Sequence, residues 1–326
     1  MSRRQSRQMK EMALQLMPQT SGSKISSHAG RAQRRHSNRL NPSMASDTAF
    51  RLLAQRFLDD LAENHDATCS GDPGALHQMR IALTRLRTAI SFFSSIADDP
   101  KRELIKSELK WLNSLLGAAR DMDVMIERLK EITKQQPQAI QGHTSLEGER
   151  EESHRRLTRA LRSARYRRLI ENTYHWVENG PWSTKKGKQA SKARTSPIAA
   201  FSARKLMRWQ EKLLKKSREL RDMGTKKRHR LRLANKKLYY STEFFEDLFP
   251  DQRASRQQTA LKYLRKAHKS LGQLNDDANS RSLAATLQRD GAKAHLQFLG
   301  PKREERLVRT AVTAYRKLAE LEPLRT

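Results

Sequence analysis

The sequence predicts an all-α protein built as a duplicated helical bundle, whose two pseudo-symmetric halves arise from an internal duplication and line a common basic groove. Three observations lead to this prediction: the composition favours helices, amphipathic segments recur along the chain, and the second half repeats motifs of the first. Leu, Ala, Arg, Lys and Glu dominate the 326 residues, whereas Gly and Pro number only 13 and 10. Such usage suits helices far better than strands.

The charge balance limits the classes of function. Lys and Arg total 66 against 35 Asp and Glu, so the formal net charge is +31. A field of this strength repels itself unless an anionic partner neutralises it, and it draws polyanions toward the surface. The candidate partners are nucleic acid, an anionic membrane surface and a polyphosphate, and charge alone does not choose among them.

Several other classes are excluded. The single cysteine, Cys69, leaves no disulfide framework and no cysteine metal cluster within one chain, and we predict neither a metal nor a cofactor. No apolar run approaches the roughly 20 residues that a membrane span needs. The basic N-terminus is not followed by a hydrophobic segment, so we expect no secretory signal and a cytoplasmic location.

The chain divides into four predicted segments. Residues 1–45 carry nine Lys and Arg against one acidic residue, and we interpret them as a basic disordered arm, either a solvated tail or an auxiliary contact for the anionic partner. Residues 46–178 form the first helical repeat and residues 198–326 the second. Residues 179–197 open on Asn-Gly-Pro and are otherwise basic, which is typical of a linker.

The apolar spacing predicts helices throughout both repeats, with breaks at turn-forming residues. It places separate helices at 101–117 and 120–136 in the first repeat, and at 255–272 and 275–290 in the second. We expect the acidic residues after these breaks to cap the next helix or to orient neighbouring Arg and His side chains. These residues are Asp121, Asp123, Asp276 and Asp277.

The most informative feature is a repeated pair of motifs. The segment HQMRIALTRLRTAISFF, which starts at His77, matches HRLRLANKKLYYSTEFF, which starts at His229, without a gap and at an offset of 152 residues. A second pair of matching motifs, LGAARD from Leu116 and LGQLND from Leu271, follows at an offset of 155 residues. Two motifs in the same order at nearly the same offset indicate an internal duplication.

Helix geometry makes the first motif a candidate binding surface. Its apolar residues fall in an arc of about 120°, and its basic residues lie on the opposite side, about one turn or 5.4 Å apart. Guanidinium groups bind phosphate oxygens bidentately, Lys adds a compact charge and His a pH-dependent one. The candidate phosphate-binding residues of the two copies are His77, Arg80, Arg85, Arg87, His229, Arg232, Lys236 and Lys237.

Other interpretations of these residues exist. A basic stripe opposite an apolar one is usually a solvated helix face, but its recurrence in both halves favours binding. A nonspecific nucleic-acid binder fits the charge, although no helix-turn-helix, zinc finger or aromatic RNA-binding platform is evident. A phosphohydrolase or kinase needs a carboxylate metal cage or a phosphate loop, and the sequence has no Gly-x-x-x-x-Gly-Lys-Ser/Thr motif. We therefore predict that the protein is not an enzyme.

The paired motifs resemble the CHAD domain, the conserved histidine α-helical domain. The resemblance rests on HxxRxAxxRLR from His77 and LGxxRDxDV from Leu116, and on HxLRxAxKKLxY from His229 and LGxLND from Leu271. It covers about residues 46–322 and leaves out the N-terminal arm. Both motif pairs occur in order, which makes the resemblance specific.

The resemblance implies two pseudo-symmetric four-helix-type bundles around a basic central cavity that binds inorganic polyphosphate, and it adds Arg120 and Tyr240 to the candidate binding residues. It also implies association with polyphosphate granules or, as the alternative, polyhydroxyalkanoate granules. Many members are fused to a triphosphate-tunnel catalytic domain, which we do not expect here, so the implied form is stand-alone and non-enzymatic. Thr84 and Tyr239 depart from the family's pattern, because each stands where Arg is usual and removes a cation.

Overall fold

The structure is a computed structural model that describes residues 40–135, 143–248, 252–289 and 298–321. These residues are mostly helical and contain no β-strand; Ala45 and Pro197 form an isolated antiparallel bridge. Most of the predicted N-terminal arm lies outside the described residues. The all-α fold class is confirmed.

The α-helices of the described residues are numbered here in chain order. They are α1 Ser46–Glu63, α2 His65–Cys69, α3 Pro73–Phe92, α4 Lys101–Gln135, α5 His143–Leu161, α6 Ala164–Asn179, α7 Lys188–Thr195, α8 Ile198–Ser217, α9 Thr225–Phe244, α10 Gln252–Arg289 and α11 Pro301–Ala319. Short 3₁₀ turns connect several of them, at Pro181–Ser183, Leu220–Asp222 and Glu246–Leu248.

The helix breaks predicted at the two glycine motifs are wrong. Helix α4 runs through Gly117 for 35 residues, and α10 runs through Gly272 for 38 residues. A glycine inside a helix costs about 1 kcal/mol relative to alanine. The apolar stripe continues on both sides, with Leu116 and Leu271 buried next to the glycines, so tertiary packing outweighs this local cost.

The helices that carry the repeated motif, α3 and α9, correspond residue for residue. Each has 20 residues, and the same offset of 152 relates their first and their last residues. Their starts differ, because the carboxylate of Asp72 caps α3 by accepting from the backbone N–H groups of Gly74 and Ala75, whereas α9 begins after Gly224 without a side-chain cap. The internal duplication, with repeats at 46–178 and 198–326, stays a prediction.

Helix packing arranges the described chain in two groups that meet at α3 and α9. In the first group α1 packs on α3 and α6, and α4 packs on α3, α5 and α6. In the second group α9 and α11 both pack on α8 and α10. Direct packing of α3 on α9 joins the groups, and α1 adds contacts with α7 and α8. The two motif-bearing helices therefore lie at the centre of the fold.

Aromatic rings join the C-terminal ends of α3 and α9. The rings of Phe92 and Phe245 lie 5.1 Å apart, and Phe93 stacks on Phe201 of α8 at 5.5 Å. Phe92, Phe93 and Phe245 are fully buried. Each such side chain contributes about 1.5–3 kcal/mol through burial, with about 0.5–1.5 kcal/mol more for a ring pair. This cluster fixes the separation of the two helices.

The stretch interpreted as a linker contributes to the core. Trp182 is fully buried, and its indole N–H donates to the backbone oxygen of Trp176 at 2.9 Å. The chain can turn here because residue 180 is glycine: a Cβ would overlap the Trp176 oxygen and lie 2.6 Å from the Trp182 ring. Farther along, the backbone N–H of Ser46 donates to the Ser196 oxygen at 3.0 Å, so this stretch is also joined to the start of the described chain.

Candidate anion-binding groove

Lys236 of α9 lies at the centre of the basic site. Burial, and then the charges of nearby guanidinium groups, lower the pKa of this lysine to about 8. The groups responsible are Arg80 and Arg87 from α3 and Arg232 from α9 itself. The Lys236 ammonium also lies 5.6 Å from the centre of the Tyr240 ring. The structure thus brings Arg80 and Arg87 from the first copy beside Arg232 and Lys236 from the second, and this cluster is named here the basic groove.

The basic groove extends toward α4 at one end. His77 is exposed, and its pKa is lowered by partial burial and then by the charges of Arg120, Arg80 and Lys236. Arg120 comes from the Leu-Gly motif in the middle of α4, so that motif serves the same site as the His-Arg motif. His77 therefore lies close enough to both Arg120 and Lys236 for their charges to act on it.

The basic groove extends in another direction toward α8. The pKa of Lys237 is lowered by burial and then by the charges of Arg87, Lys106 and Lys216. Lys106 lies on α4 and Lys216 on α8, and the sequence analysis missed both residues. No local signal marks them, because they belong to charged helix faces far from the motifs and only the packing brings them together.

His268 of α10 is a further residue that the sequence analysis missed. Burial, and then the charges of Arg232 and Lys236, lower its pKa to about 4. Its Nδ1 is buried and has no hydrogen-bond partner among the described residues. The sequence did contain a signal for His268. This residue precedes the buried Leu271 of the second Leu-Gly motif by three residues, which places it on the packed side of α10.

Other predicted residues have protein partners. Arg80 donates to the Asp121 carboxylate at 3.0 Å, and a ring nitrogen of His229 lies 2.7 Å from the side-chain oxygen of Asn275. Arg85 donates to the Glu243 carboxylate at 2.8 Å, so it links α3 to α9. The contribution of Arg85 to anion binding stays a prediction.

The acidic residues of the Leu-Gly motifs orient other side chains. Asp123 is buried, and its carboxylate accepts from Nε of Arg150 at 2.8 Å and lies 2.9 Å from a ring nitrogen of His154. Asp277 accepts from Arg281 at 2.7 Å and from the backbone N–H of Leu299 at 2.6 Å. Because α4 and α10 continue through these positions, the alternative prediction of helix caps is wrong.

The two departures from the expected pattern have local explanations. The Thr84 hydroxyl donates to the backbone oxygen of Arg80 at 2.8 Å, one turn earlier. Arg265 of α10 donates to the Tyr239 hydroxyl at 3.2 Å, and its guanidinium lies 5.8 Å from the centre of that ring. Arg265 therefore supplies a cation from the neighbouring helix, next to the position where the family's pattern has Arg and this chain has Tyr239.

Two structural searches bear on cofactors and membranes. Across the described ranges, no three His, Cys, Asp or Glu side chains converge in the manner of a metal site. Among the helices of those same ranges, none combines the length and the apolar character that crossing a bilayer requires.

Comparisons with known proteins agree with this architecture. The crystal structure of the CHAD domain from the plant Ricinus communis superposes with a TM-score of 0.65 at 23% identity, over 87% of this chain and 95% of that one. PptA from Streptomyces chartreusis superposes with a TM-score of 0.54 at 13% identity, over 85% and 96% of the two chains. At these identities the likeness shows a shared fold. No curated protein matched the sequence.

The family assignment comes from a sequence comparison. The family model described as the CHAD domain matches residues 52–285. This range holds both copies of the His-Arg motif, both Leu-Gly motifs and every residue of the basic groove. Since the match covers more than half of the chain, the protein belongs to the CHAD domain family.

Proposed function

We propose that the protein binds inorganic polyphosphate in the basic groove and has no catalytic activity of its own. The observation that carries the proposal is the half-buried Lys236, whose pKa is lowered by burial and by three neighbouring guanidinium groups. Cations held together in this way repel one another and have lost part of their hydration. A ligand with a negative charge on each phosphate relieves both costs.

The dimensions of the ligand favour polyphosphate over nucleic acid. The cations of the basic groove come from helices that pack on one another, and Lys236 is partly covered by the Tyr240 ring. A thin chain without bases can enter between such helices, whereas a duplex contacts only outer surfaces. The two tyrosines nearest the site face Lys236, Arg85 and Arg265, so they offer no open platform on which bases would stack.

The central test is a binding titration of the whole chain with long-chain polyphosphate, with DNA as competitor. We expect tight binding that weakens steeply as salt rises, because polyanion complexes release counterions. The double variant Arg80→Glu, Arg232→Glu should abolish it. The matched control Arg155→Glu, Arg159→Glu changes the charge equally on exposed α5 residues and should bind nearly as the native protein does.

Two outcomes would contradict the proposal. Normal polyphosphate binding by the Arg80→Glu, Arg232→Glu variant would show that the ligand does not bind in the basic groove. Displacement of polyphosphate by DNA more readily than the reverse, per phosphate, would favour a nonspecific nucleic-acid binder.

The absence of catalysis is part of the same proposal. The carboxylates nearest the basic groove, Asp121 and Glu243, already accept hydrogen bonds from Arg80 and Arg85. They are therefore not available as a pair to hold a catalytic metal. Incubation with polyphosphate and Mg²⁺ should leave the chain length unchanged on a gel, and shortening would show an enzyme.

Granule association follows from the proposed ligand. A protein that binds polyphosphate through the basic groove should collect wherever the polymer accumulates. A fluorescent fusion should coincide with stained polyphosphate granules, and the Arg80→Glu, Arg232→Glu variant should disperse. A fusion that instead follows polyhydroxyalkanoate granules would contradict this location.

A further inference from the structure

Two buried nitrogen atoms beside the basic groove lack partners. Nε of Arg232 and Nδ1 of His268 are both buried without a hydrogen-bond partner among the described residues. The two side chains are neighbours, because the charge of Arg232 acts on His268. A buried polar atom that has given up water without gaining a partner costs free energy, and such atoms are rare in folded proteins. Two of them side by side indicate a place that a ligand completes.

A glycine leaves room at the same place. Gly272 follows His268 by four residues on α10, so the two positions lie on the same face of the helix. A Cβ built on Gly272 would have Nε of Arg232 as its one close neighbour, at 3.8 Å. The corresponding Gly117 of α4 has no such neighbour, since a Cβ there would meet nothing within 4 Å. Both glycines therefore leave open space, but only the space at Gly272 is bordered by an arginine nitrogen.

We infer that Arg232 Nε, His268 Nδ1 and the space left by Gly272 form an inner phosphate subsite, which takes a non-bridging oxygen of the polyphosphate chain. This inference rests on the proposed function and adds residues to it. The guanidinium would bind the phosphate through Nε and one outer nitrogen, which is the usual bidentate arrangement. The imidazole donates when its proton is on Nδ1, and at neutral pH it does so as an uncharged group.

With this subsite, the two halves of the chain offer different groups to the ligand. Arg80 occupies the position equivalent to Arg232, but it donates to Asp121 at 3.0 Å. The position equivalent to His268 at the offset of 155 holds Asn113. The second half thus supplies an inward-facing pair of donors, and the first half has a carboxylate beside the corresponding arginine. We expect a bound chain to lie deeper against α9 and α10 than against α3 and α4.

The test uses Gly272→Ala with Gly117→Ala as its matched control, both in the full chain. Alanine is the better helix former at both sites and clashes at neither, so both variants should keep or raise the unfolding temperature. Only the methyl group of Gly272→Ala enters the proposed subsite. We expect it to weaken polyphosphate binding about tenfold, as expected for loss of a charged hydrogen bond, and Gly117→Ala to bind as the native protein does.

A second pair of variants tests the histidine. His268→Gln keeps a neutral N–H donor of similar reach, whereas His268→Leu removes the donor and keeps much of the volume. The Gln variant should retain most of the affinity, and the Leu variant should lose about tenfold. Native affinity in the Leu variant would overturn the role of His268.

The outcomes separate this inference from the proposed function. If the native chain binds polyphosphate and Gly272→Ala binds equally well, the subsite is wrong and the basic groove stands; the two nitrogen atoms would then be completed by water alone. If the native chain does not bind polyphosphate, the proposed function fails and the subsite fails with it. Weaker binding by Gly272→Ala, with unchanged binding by Gly117→Ala, supports both.

Discussion

Helices α3 and α9 carry the same motif, yet the arginine of that motif has different partners on the long helix next to each of them. On α3, Arg80 donates to Asp121 of α4 at 3.0 Å. On α9, Nε of Arg232 is buried without a partner among the described residues, beside His268 of α10. The first arginine is thus partly neutralised by a carboxylate, whereas the second keeps its charge and a donor for a ligand.

The histidines show the opposite pattern. His229 of α9 is fixed by the side-chain oxygen of Asn275 at 2.7 Å. His77 of α3 is exposed beside Arg120, which stands at the position equivalent to Asn275. The same motif therefore lies on both helices, but the partners of its arginine and histidine differ because the residues on the neighbouring long helix differ.

The largest expected effect tests whether the two helices are equivalent in the core. Phe93 and Phe245, at matching positions, are both fully buried, so Phe93→Ala and Phe245→Ala should each cost about 3–5 kcal/mol of unfolding free energy. Urea denaturation measures both. The partly exposed Phe298 serves as control, and its replacement by Ala should cost far less. A large loss for only one of the pair would break the equivalence.

The next effect tests where the two helices differ in charge. Lys236 matches Thr84 at the offset of 152 residues, and Lys236 carries a charge among three guanidinium groups, whereas the Thr84 side chain is neutral. Lys236→Ala should weaken polyphosphate binding by about 1.5–3 kcal/mol, roughly tenfold to a hundredfold. Thr84→Ala should change it little. Similar losses for the two variants in the same titration would contradict a site centred on α9.

The cost of Lys236 to folding should appear in the pH dependence of stability. Its pKa is about 8 in the folded chain, against an ordinary value of 10.5. The unfolded state therefore binds the proton more readily, and the native protein should gain stability as pH rises from about 8 to 10. Lys236→Met should be more stable than the native protein by about 1–2 kcal/mol at pH 7, and the advantage should vanish near pH 10. Chemical denaturation at both pH values measures this, and an advantage independent of pH would exclude the charge as its cause.

The smallest expected effect comes from a substitution that makes the two halves more alike. Thr84→Arg adds a cation to the stripe of α3, one turn from Arg80. We expect polyphosphate affinity to rise only about threefold, because a partly exposed charge is screened by salt. The same titration at low and high salt should show the gain mainly at low salt. A decrease in affinity would mean that the position faces away from the ligand.

Much of the central region was predictable from the sequence. The His-Arg motif located α3 and α9, because its apolar arc is regular and both copies end at paired phenylalanines. The motif also identified Lys236 and Arg232, which the structure places together. These features depend on helix periodicity, which a short stretch of sequence determines on its own.

Other features depended on packing between distant segments. Gly117 and Gly272 indicated breaks because glycine is a poor helix former, but buried leucines on both sides keep the helices continuous. Lys106 and Lys216 join the site only because α4 and α8 bring them beside Lys237. The two unpartnered nitrogen atoms could not be predicted, since whether an atom finds a partner depends on the arrangement of three helices.

The rings that join α3 and α9 have a consequence for the energetics of the site. They hold the basic side chains together before any ligand arrives, so part of the free energy of core packing is stored as repulsion between cations. Under the proposed function, an anion bound in the basic groove would release this repulsion. Ligand binding and fold stability would then be coupled, and a saturating polyanion should raise the unfolding temperature by an amount that grows with its affinity and concentration. In this sense the core that joins α3 and α9 preorganises the protein for the proposed ligand.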